Sequence, residues 1–232
     1  MVLRDPVSSM THLLAAVWAI YATALLLRLS PPIGERRIAV AIFGGSMVFL
    51  FLASGTFHAV PYTQAENPVE YRFVQTLDQS AIFVLIAGSN APFMIVLLHG
   101  RWRLVCLAGM WGFALIGVAC LWFVPKLPHA AMIGIYWSMG VLGLAPYRFY
   151  HRTIGWRPMR WAVLGGLFYS VGAFCELVAW PTPLDSPTRL GHHELFHVFV
   201  IAASASFYAL VLRHVVRYRS PTADGKRSTA LQ

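Results

Sequence analysis

Residues 38–60 read IAVAIFGGSMVFLFLASGTFHAV, an apolar run without a single Lys, Arg, Asp or Glu. A bilayer core about 30 Å thick is crossed by roughly 20 apolar residues in an α-helix. This run is therefore long enough to cross a membrane as one helix. With six more runs of similar character it makes seven predicted spans, at residues 12–29, 38–60, 73–98, 104–124, 130–147, 161–180 and 192–212.

The composition of the whole chain agrees with a membrane protein. Apolar residues make up 58% of the 232 residues and charged residues only 12%, whereas a soluble domain is about half apolar and a quarter charged. The segments between the runs are short, so neighbouring helices must be antiparallel. We therefore expect an all-α fold, with residues 1–212 forming a seven-helix transmembrane domain and residues 213–232 a basic, flexible C-terminal tail.

The distribution of basic residues predicts the orientation in the membrane. Lys and Arg total 18 against nine acidic residues, a net charge of +9. In a soluble protein this excess would suggest nucleic acid as a partner, but no nucleic-acid-binding motif is present. Counted over alternating sides, fourteen basic residues fall on the side of the C-terminus and four on the other, namely Arg4, Arg72, Lys126 and Arg189. The positive-inside rule then predicts a plasma (inner) membrane protein with its C-terminus in the cytoplasm and its N-terminus outside.

Several ionisable side chains lie within or at the ends of the apolar runs, where they are expensive and therefore candidates for function. They are His12, His58, Asp78, Glu176, His193, Glu194 and His197. Alternation of the helices places all of them in the outer half of the membrane. A layer of His and carboxylate side chains in a helical bundle is typical of a metal site.

The strongest local pattern is HELFH at residues 193–197. His193 and His197 are four residues apart, so both imidazoles lie on one helix face and can reach one ion. The pattern also matches the HExxH motif of zinc proteases, in which the glutamate is the base. Two histidines at the mouth of a helix can equally have a purely structural role, so this pattern alone leaves both interpretations open.

Two further patterns accompany it. In SGTFH, residues 54–58, Ser54 and His58 share a helix face. Asp78 lies in TLDQS, residues 76–80, and a buried aspartate needs a proton or a polar partner. Glu194 is a rival base that we rank below Asp78, and we interpret Glu176 as an interfacial carboxylate near Trp180.

Together these stretches resemble the hemolysin III branch of the progestin and adipoQ receptor family, which includes the adiponectin receptors. The resemblance covers most of the chain. It is carried by SGTFH at residues 54–58, LDQSAIFVLIAGSNAPF at 77–93, GGLFYSVGAF at 165–174 and HHELFHVFVIAAS at 192–204.

The resemblance implies a zinc ion bound by His58, His193 and His197, with Asp78 holding a water at the metal and Ser54 beside it. Three imidazoles leave one zinc position open, as in a catalytic site. The family also resembles alkaline ceramidases, which implies hydrolysis of a lipid amide. At such a site Asp78 would accept the proton of the water and Ser54 would donate to the developing oxyanion, so we expect a hydrolase of a lipid amide or ester with Asp78 and Ser54 as catalytic residues.

Two other functions stay open at this point. One is a receptor or sensor in which zinc is structural. The other is a pore-forming cytolysin, which the hemolysin label implies. A pore predicts a continuous polar stripe along several helices, whereas the polar residues here are confined to one half of the membrane, so we rank it third, above an intramembrane protease that only HELFH supports.

Overall fold

The fold is known from a computed structural model that describes residues 3–124, 128–182 and 190–218. Within these ranges the regular structure is entirely helical, which confirms the predicted all-α class. The helices are α1 (Pro6–Leu29), α2 (Glu35–Ala59), α3 (Pro68–Leu97), α4 (Gly100–Phe123), α5 (His129–Leu144), α6 (Tyr147–Ile154), α7 (Trp156–Val178) and α8 (His192–Leu210).

Most helices begin before their predicted apolar runs, and in α1 and α3 a proline marks the earlier start. Pro6 and Pro68 occupy the first turns of α1 and α3, where the absent amide hydrogen costs nothing. Asn67 caps α3, since its side-chain oxygen accepts a hydrogen bond from the amide of Glu70. These polar start signals lie outside the hydropathy pattern. As a result His12 lies in the second turn of α1, not at its start, and Asp78 is about three turns into α3.

The fifth predicted span is broken. A continuous helix over residues 130–147 is wrong, because α5 and α6 meet at an angle of 44°. Pro146 lies at the break, where it has no amide hydrogen to continue the helical ladder. Among the described residues, six helices are long and apolar enough to cross a membrane, and the bent pair is a seventh span if α5 and α6 cross together. The chain is thus a multi-pass membrane protein.

The core lies along α2 and α3. The largest fully buried side chains there include Phe43, Met47 and Phe51 of α2 and Phe83 and Leu85 of α3. Both faces of a helix such as α1 are apolar, since Leu14, Val17 and Tyr21 are more than 60% exposed on its outer side. A helix that is apolar all round is typical of a membrane span.

Helical structure continues beyond residue 212, the predicted end of the transmembrane domain. Val211–Val215 form one π-helical turn, and Val215 and Val216 are buried. The Arg36 guanidinium holds this end by donating hydrogen bonds to the carbonyl oxygens of Val216 at 3.3 Å and Tyr218 at 2.8 Å. Residues 219–232 of the predicted tail lie outside the described residues.

Candidate metal centre

A close contact between α1 and α2 brings the start of the chain to the histidine layer. The Ser9 hydroxyl donates to the carbonyl oxygen of Gly55 at 3.0 Å. A Cβ atom at Gly55 would lie 2.8 Å from the Leu13 side chain, so only glycine permits this approach. The Asp5 amide then donates to the carbonyl oxygen of His58 at 3.1 Å. Asp5 thereby reaches the last turn of α2.

The structure brings His58, His193 and His197 together at this end of the bundle. His58 comes from the last turn of α2, and the other two come from the first two turns of α8. The Nε2 atom of His193 lies 3.2 Å from Nε2 of His58 and 3.2 Å from Nε2 of His197. All three residues offer a nitrogen within 4.8 Å of the others. The spacing is that of a candidate metal site.

The partners of the opposite ring nitrogens indicate which form two of these imidazoles take. Nδ1 of His58 lies 3.1 Å from an Asp5 carboxylate oxygen, and Nδ1 of His193 lies 3.3 Å from a Glu176 oxygen. A carboxylate accepts a hydrogen bond, so in the neutral imidazoles each Nδ1 carries the proton and each Nε2 carries a lone pair. Lone pairs that face one another repel unless a cation lies between them.

The donor set fits a tetrahedral metal ion. Zinc–nitrogen bonds of 2.0–2.1 Å with tetrahedral angles separate two ligand nitrogens by about 3.4 Å, close to the 3.2 Å separations here. Ligand histidines in metal sites usually donate their other N–H group to a carboxylate or carbonyl, as His58 and His193 do. His197 differs, because its buried Nδ1 makes no hydrogen bond with the described residues.

Asp5 is held as a carboxylate. The hydrogen bond from His58 and the neighbouring Arg4 guanidinium lower its pKa from 3.8 to about 2, against the opposing effect of partial burial. Arg4 contacts the same carboxylate oxygen at 2.9 Å and donates to the carbonyl oxygen of Phe57. The segment before α1 therefore supplies a fixed negative charge next to His58.

Asp78 and Ser54 lie beside the histidines. Ser54 lies one turn before His58 on α2, and Asp78 lies on α3, which packs on α2. Ser54, Asp78, His193 and His197 all line the same cavity. The two residues predicted as catalytic thus face the same space as two of the predicted ligands.

Glu194 has a structural role. One of its carboxylate oxygens accepts a hydrogen bond from the Gly191 amide at 3.0 Å, which caps α8. The other accepts from the Ser8 hydroxyl at 2.9 Å and ties α8 to α1. Both carboxylate oxygens of Glu194 are thus occupied by contacts that hold the start of α8, and its rank below Asp78 as a base stays a prediction.

Three further residues adjoin the histidines, and of these only Asp5 was absent from the candidates named from the sequence. Glu176, interpreted from the sequence as an interfacial carboxylate, contacts Nδ1 of His192 at 2.9 Å and Nδ1 of His193 at 3.3 Å. Asp5 was not predicted, because it precedes the first apolar run. The signal that could have found it is an acidic residue at the membrane depth of a candidate ligand histidine, since such histidines usually donate to a carboxylate. His12 is 2% exposed and stacks on His197 with 3.8 Å between ring centroids.

A large cavity leads from this centre into the bundle. It has a volume of about 1070 Å³ and is lined mostly by apolar side chains of α3, α5, α7 and α8. Val141 and Leu144 of α5 and Leu167 of α7 line it and are 46–69% exposed. Side chains of α5 and α7 therefore form an accessible part of the cavity wall.

Comparison with known proteins agrees with these features. A sequence profile described as "Haemolysin-III related" matches residues 2–208. The chain is 28% identical to the hemolysin-3 homolog of Bacillus subtilis, over 90% of this chain and 93% of that protein. It is 29% identical to hemolysin-3 of Bacillus cereus, over 94% and 92% of the two chains.

A more distant relative links the chain to the receptors that the sequence motifs resemble. The adiponectin receptor protein of Drosophila melanogaster is 26% identical over 85% of this chain and 48% of that protein. The profile match covers most of the chain, and the relatives include both hemolysins and an adiponectin receptor. This multi-pass membrane protein therefore belongs to the Haemolysin-III related family, the hemolysin III branch of the progestin and adipoQ receptor family.

Proposed function

We propose that this protein is a zinc-dependent membrane hydrolase that cleaves a lipid amide or ester. The observation that carries the proposal is that Asp78, Ser54, His193 and His197 all line one large apolar cavity. A purely structural metal would not require an acid–base pair and a ligand-sized space beside it.

The residues of the chain have separate roles in this proposal. His58, His193 and His197 would hold the ion, and Asp5 and Glu176 would orient two of these imidazoles. Bound zinc would polarise the substrate carbonyl and lower the pKa of water. Asp78 would accept the proton of the attacking water and return it to the leaving group. Ser54, next to Asp78, would donate a hydrogen bond to the negative charge that develops on the carbonyl oxygen.

The cavity supports a lipid as the substrate. Its volume of about 1070 Å³ is at the upper end of ligand pockets, which hold about 300–1,000 Å³. An opening between α5 and α7, whose exposed side chains line the cavity, would give a path for a substrate that arrives from the bilayer and not from water. The basic excess on the C-terminal side favours an orientation in a plasma (inner) membrane in which the metal centre faces outward.

A receptor or sensor with structural zinc is the second candidate, and one observation favours it. The three histidines come from α2 and α8, whose principal packing is on other helices, with α1 touching both. An ion bound there would join α2 to α8 directly, which is what a structural metal does.

An activity assay separates the two candidates. We would incubate the zinc-loaded protein in detergent with fluorogenic N-acyl amides and acyl esters of graded chain length. We expect turnover by the wild type, and a loss of about 10²-fold or more in Asp78→Asn, because a positioned general base contributes 10²–10⁴-fold. Zinc content should be unchanged in this variant. Full zinc content without turnover of any substrate, or equal turnover by the variant, would favour the structural role.

A further inference from the structure

The cavity has a second polar region far from the histidines, which we call the deep polar cluster. It consists of Ser89 and Asn90 of α3, Tyr150 of α6 and Tyr169 of α7, all of which line the cavity. Ser89 follows Asp78 by eleven residues on the same helix, a separation of about 16 Å along its axis. The cluster is therefore a separate group of polar side chains at the other end of the same space.

Two hydroxyl groups of this cluster are buried without a partner. Ser89 is 1% exposed and Tyr150 is 2% exposed, and neither hydroxyl makes a hydrogen bond with the described residues. Other buried helix serines satisfy themselves, since Ser46 and Ser80 donate to backbone carbonyl oxygens one turn earlier. Within a membrane an unbonded hydroxyl is costly, so Ser89 and Tyr150 need a partner from the cavity.

The rest of the cluster adds hydrogen-bonding capacity and fixes its shape. Asn90 donates to the carbonyl oxygen of Ile86 at 2.8 Å, which leaves its second amide hydrogen available. The Tyr169 hydroxyl pairs with that of Ser204 at 3.2 Å. A Cβ atom at Gly143 of α5 would clash with the Asn90 amide, so α5 closes directly over it.

We propose that the deep polar cluster is a second binding subsite, which takes a neutral oxygen group on the chain of a lipid whose polar end lies at the histidines. A hydroxyl or carbonyl group about 16 Å from that end would meet Ser89 and Tyr150. An ionised group is disfavoured, because the one Lys or Arg among the described cavity-lining residues is Arg72, about 26 Å from Ser89 along α3.

This inference rests on the proposed function only in requiring a lipid in the cavity, since it does not require turnover. The ligand class it names is an oxygenated lipid chain, as opposed to a plain hydrocarbon chain. The position of the oxygen along the chain is the quantity that the structure determines.

The test is a binding series with octadecanoic acids that carry a hydroxyl near the carboxyl end, within the chain near carbon 13 (the mid-chain position, about 16 Å from the carboxyl group in an extended chain, as the separation along α3 requires), at the methyl end or not at all. Binding to the full-length, zinc-loaded protein in lipid nanodiscs would be measured by displacement of a fluorescent fatty acid. We expect the mid-chain hydroxyl to bind about tenfold more tightly than the unsubstituted acid, or about 1.4 kcal/mol.

Three variants and a control locate the effect. Ser89→Ala and Tyr150→Phe each remove one hydroxyl without changing the shape of the wall, and each should reduce the preference at least threefold. The double variant should abolish it. Ser46→Ala is the matched control, because Ser46 is an equally buried helix serine that is bonded to Phe43 and does not line the cavity.

The outcomes separate this inference from the hydrolase. The preference should persist in His58→Ala even if overall affinity falls, since the cluster lies far from the metal. Absence of a mid-chain preference in the folded wild type would overturn the inference, as would a preference that survives in the double variant. Failure to detect hydrolysis would leave the binding result as it is.

Discussion

Glu176 provides the sharpest test of how the histidines are held. Its carboxylate is 13% exposed and contacts Nδ1 of His192 and of His193, at 2.9 and 3.3 Å. In Glu176→Gln the side chain keeps its size but loses its charge, so the acceptor at Nδ1 of His193 becomes a neutral amide oxygen and Nε2 becomes a weaker metal ligand. We expect zinc to bind more weakly while the fold is retained.

The expected loss of zinc affinity follows from the carboxylate partners of two histidines, His58 and His193. Removing a partner of a ligand histidine typically lowers metal affinity 10–100-fold, or about 1.4–2.7 kcal/mol. The glutamine can still accept a hydrogen bond, so we expect about tenfold for Glu176→Gln. Asp5 supports a different histidine from a different segment, so Asp5→Asn should add a similar factor and the double variant should lose about 100-fold.

The assay is a competition titration of metal-stripped protein in detergent against a chromophoric zinc chelator. Glu66→Gln is the matched control, because Glu66 is an exposed glutamate whose side-chain hydrogen bonds go to Thr63. Wild-type zinc affinity in Glu176→Gln, alongside loss of binding in His193→Ala, would refute the argument that Glu176 orients the ligand.

Three further predictions concern stability and topology. Stripping the metal should lower the Tm of the wild type, measured by differential scanning fluorimetry, but not that of His197→Ala. A metal ion at a free concentration of 100 times its Kd stabilises the folded state by about 2.7 kcal/mol. An equal shift of Tm in both proteins would contradict a site that includes His197. Gly55→Val should destabilise the protein by about 1–3 kcal/mol through overpacking against Leu13. Gly45→Val, with open space around it on the same helix, should be tolerated. Equal denaturation midpoints for the two variants would contradict a close contact between α1 and α2 at Gly55. A single cysteine can be placed at Gln64 in a variant without the three native cysteines. In intact cells it should react with a membrane-impermeant maleimide if the metal centre faces outward. A cysteine that reacts only after lysis would reverse the predicted orientation.

Much of this fold was predictable because membrane spans leave a local signal. The apolar runs located the helices, and alternation placed the histidines and Asp78 at one end of the bundle. Polar start signals were harder to use. Pro6 and Pro68 begin helices in polar sequence, so the true starts of α1 and α3 lie outside the hydropathy pattern. The break at Pro146 depends on a single residue within an otherwise apolar run.

The surroundings of the histidines were less predictable than the histidines themselves. The spacing of His193 and His197 needs only helix geometry, whereas the contact between Glu176 and His193 depends on how α7 is rotated against α8. Asp5 reaches His58 because α1 packs closely on α2 at Gly55. The unpartnered hydroxyls of Ser89 and Tyr150 are likewise visible only once the packing is known.

The central claim is that α2 and α8 share one metal ion through His58, His193 and His197. Metal content by mass spectrometry of the purified, tag-free protein tests it most directly, beside His58→Ala, His197→Ala and His214→Ala, the last being a histidine of the π-helical turn distant from the site. We predict about one zinc per chain in the wild type and in His214→Ala, and loss of zinc in the other two. A folded wild type without stoichiometric metal, or zinc retained in both site variants, would contradict the claim.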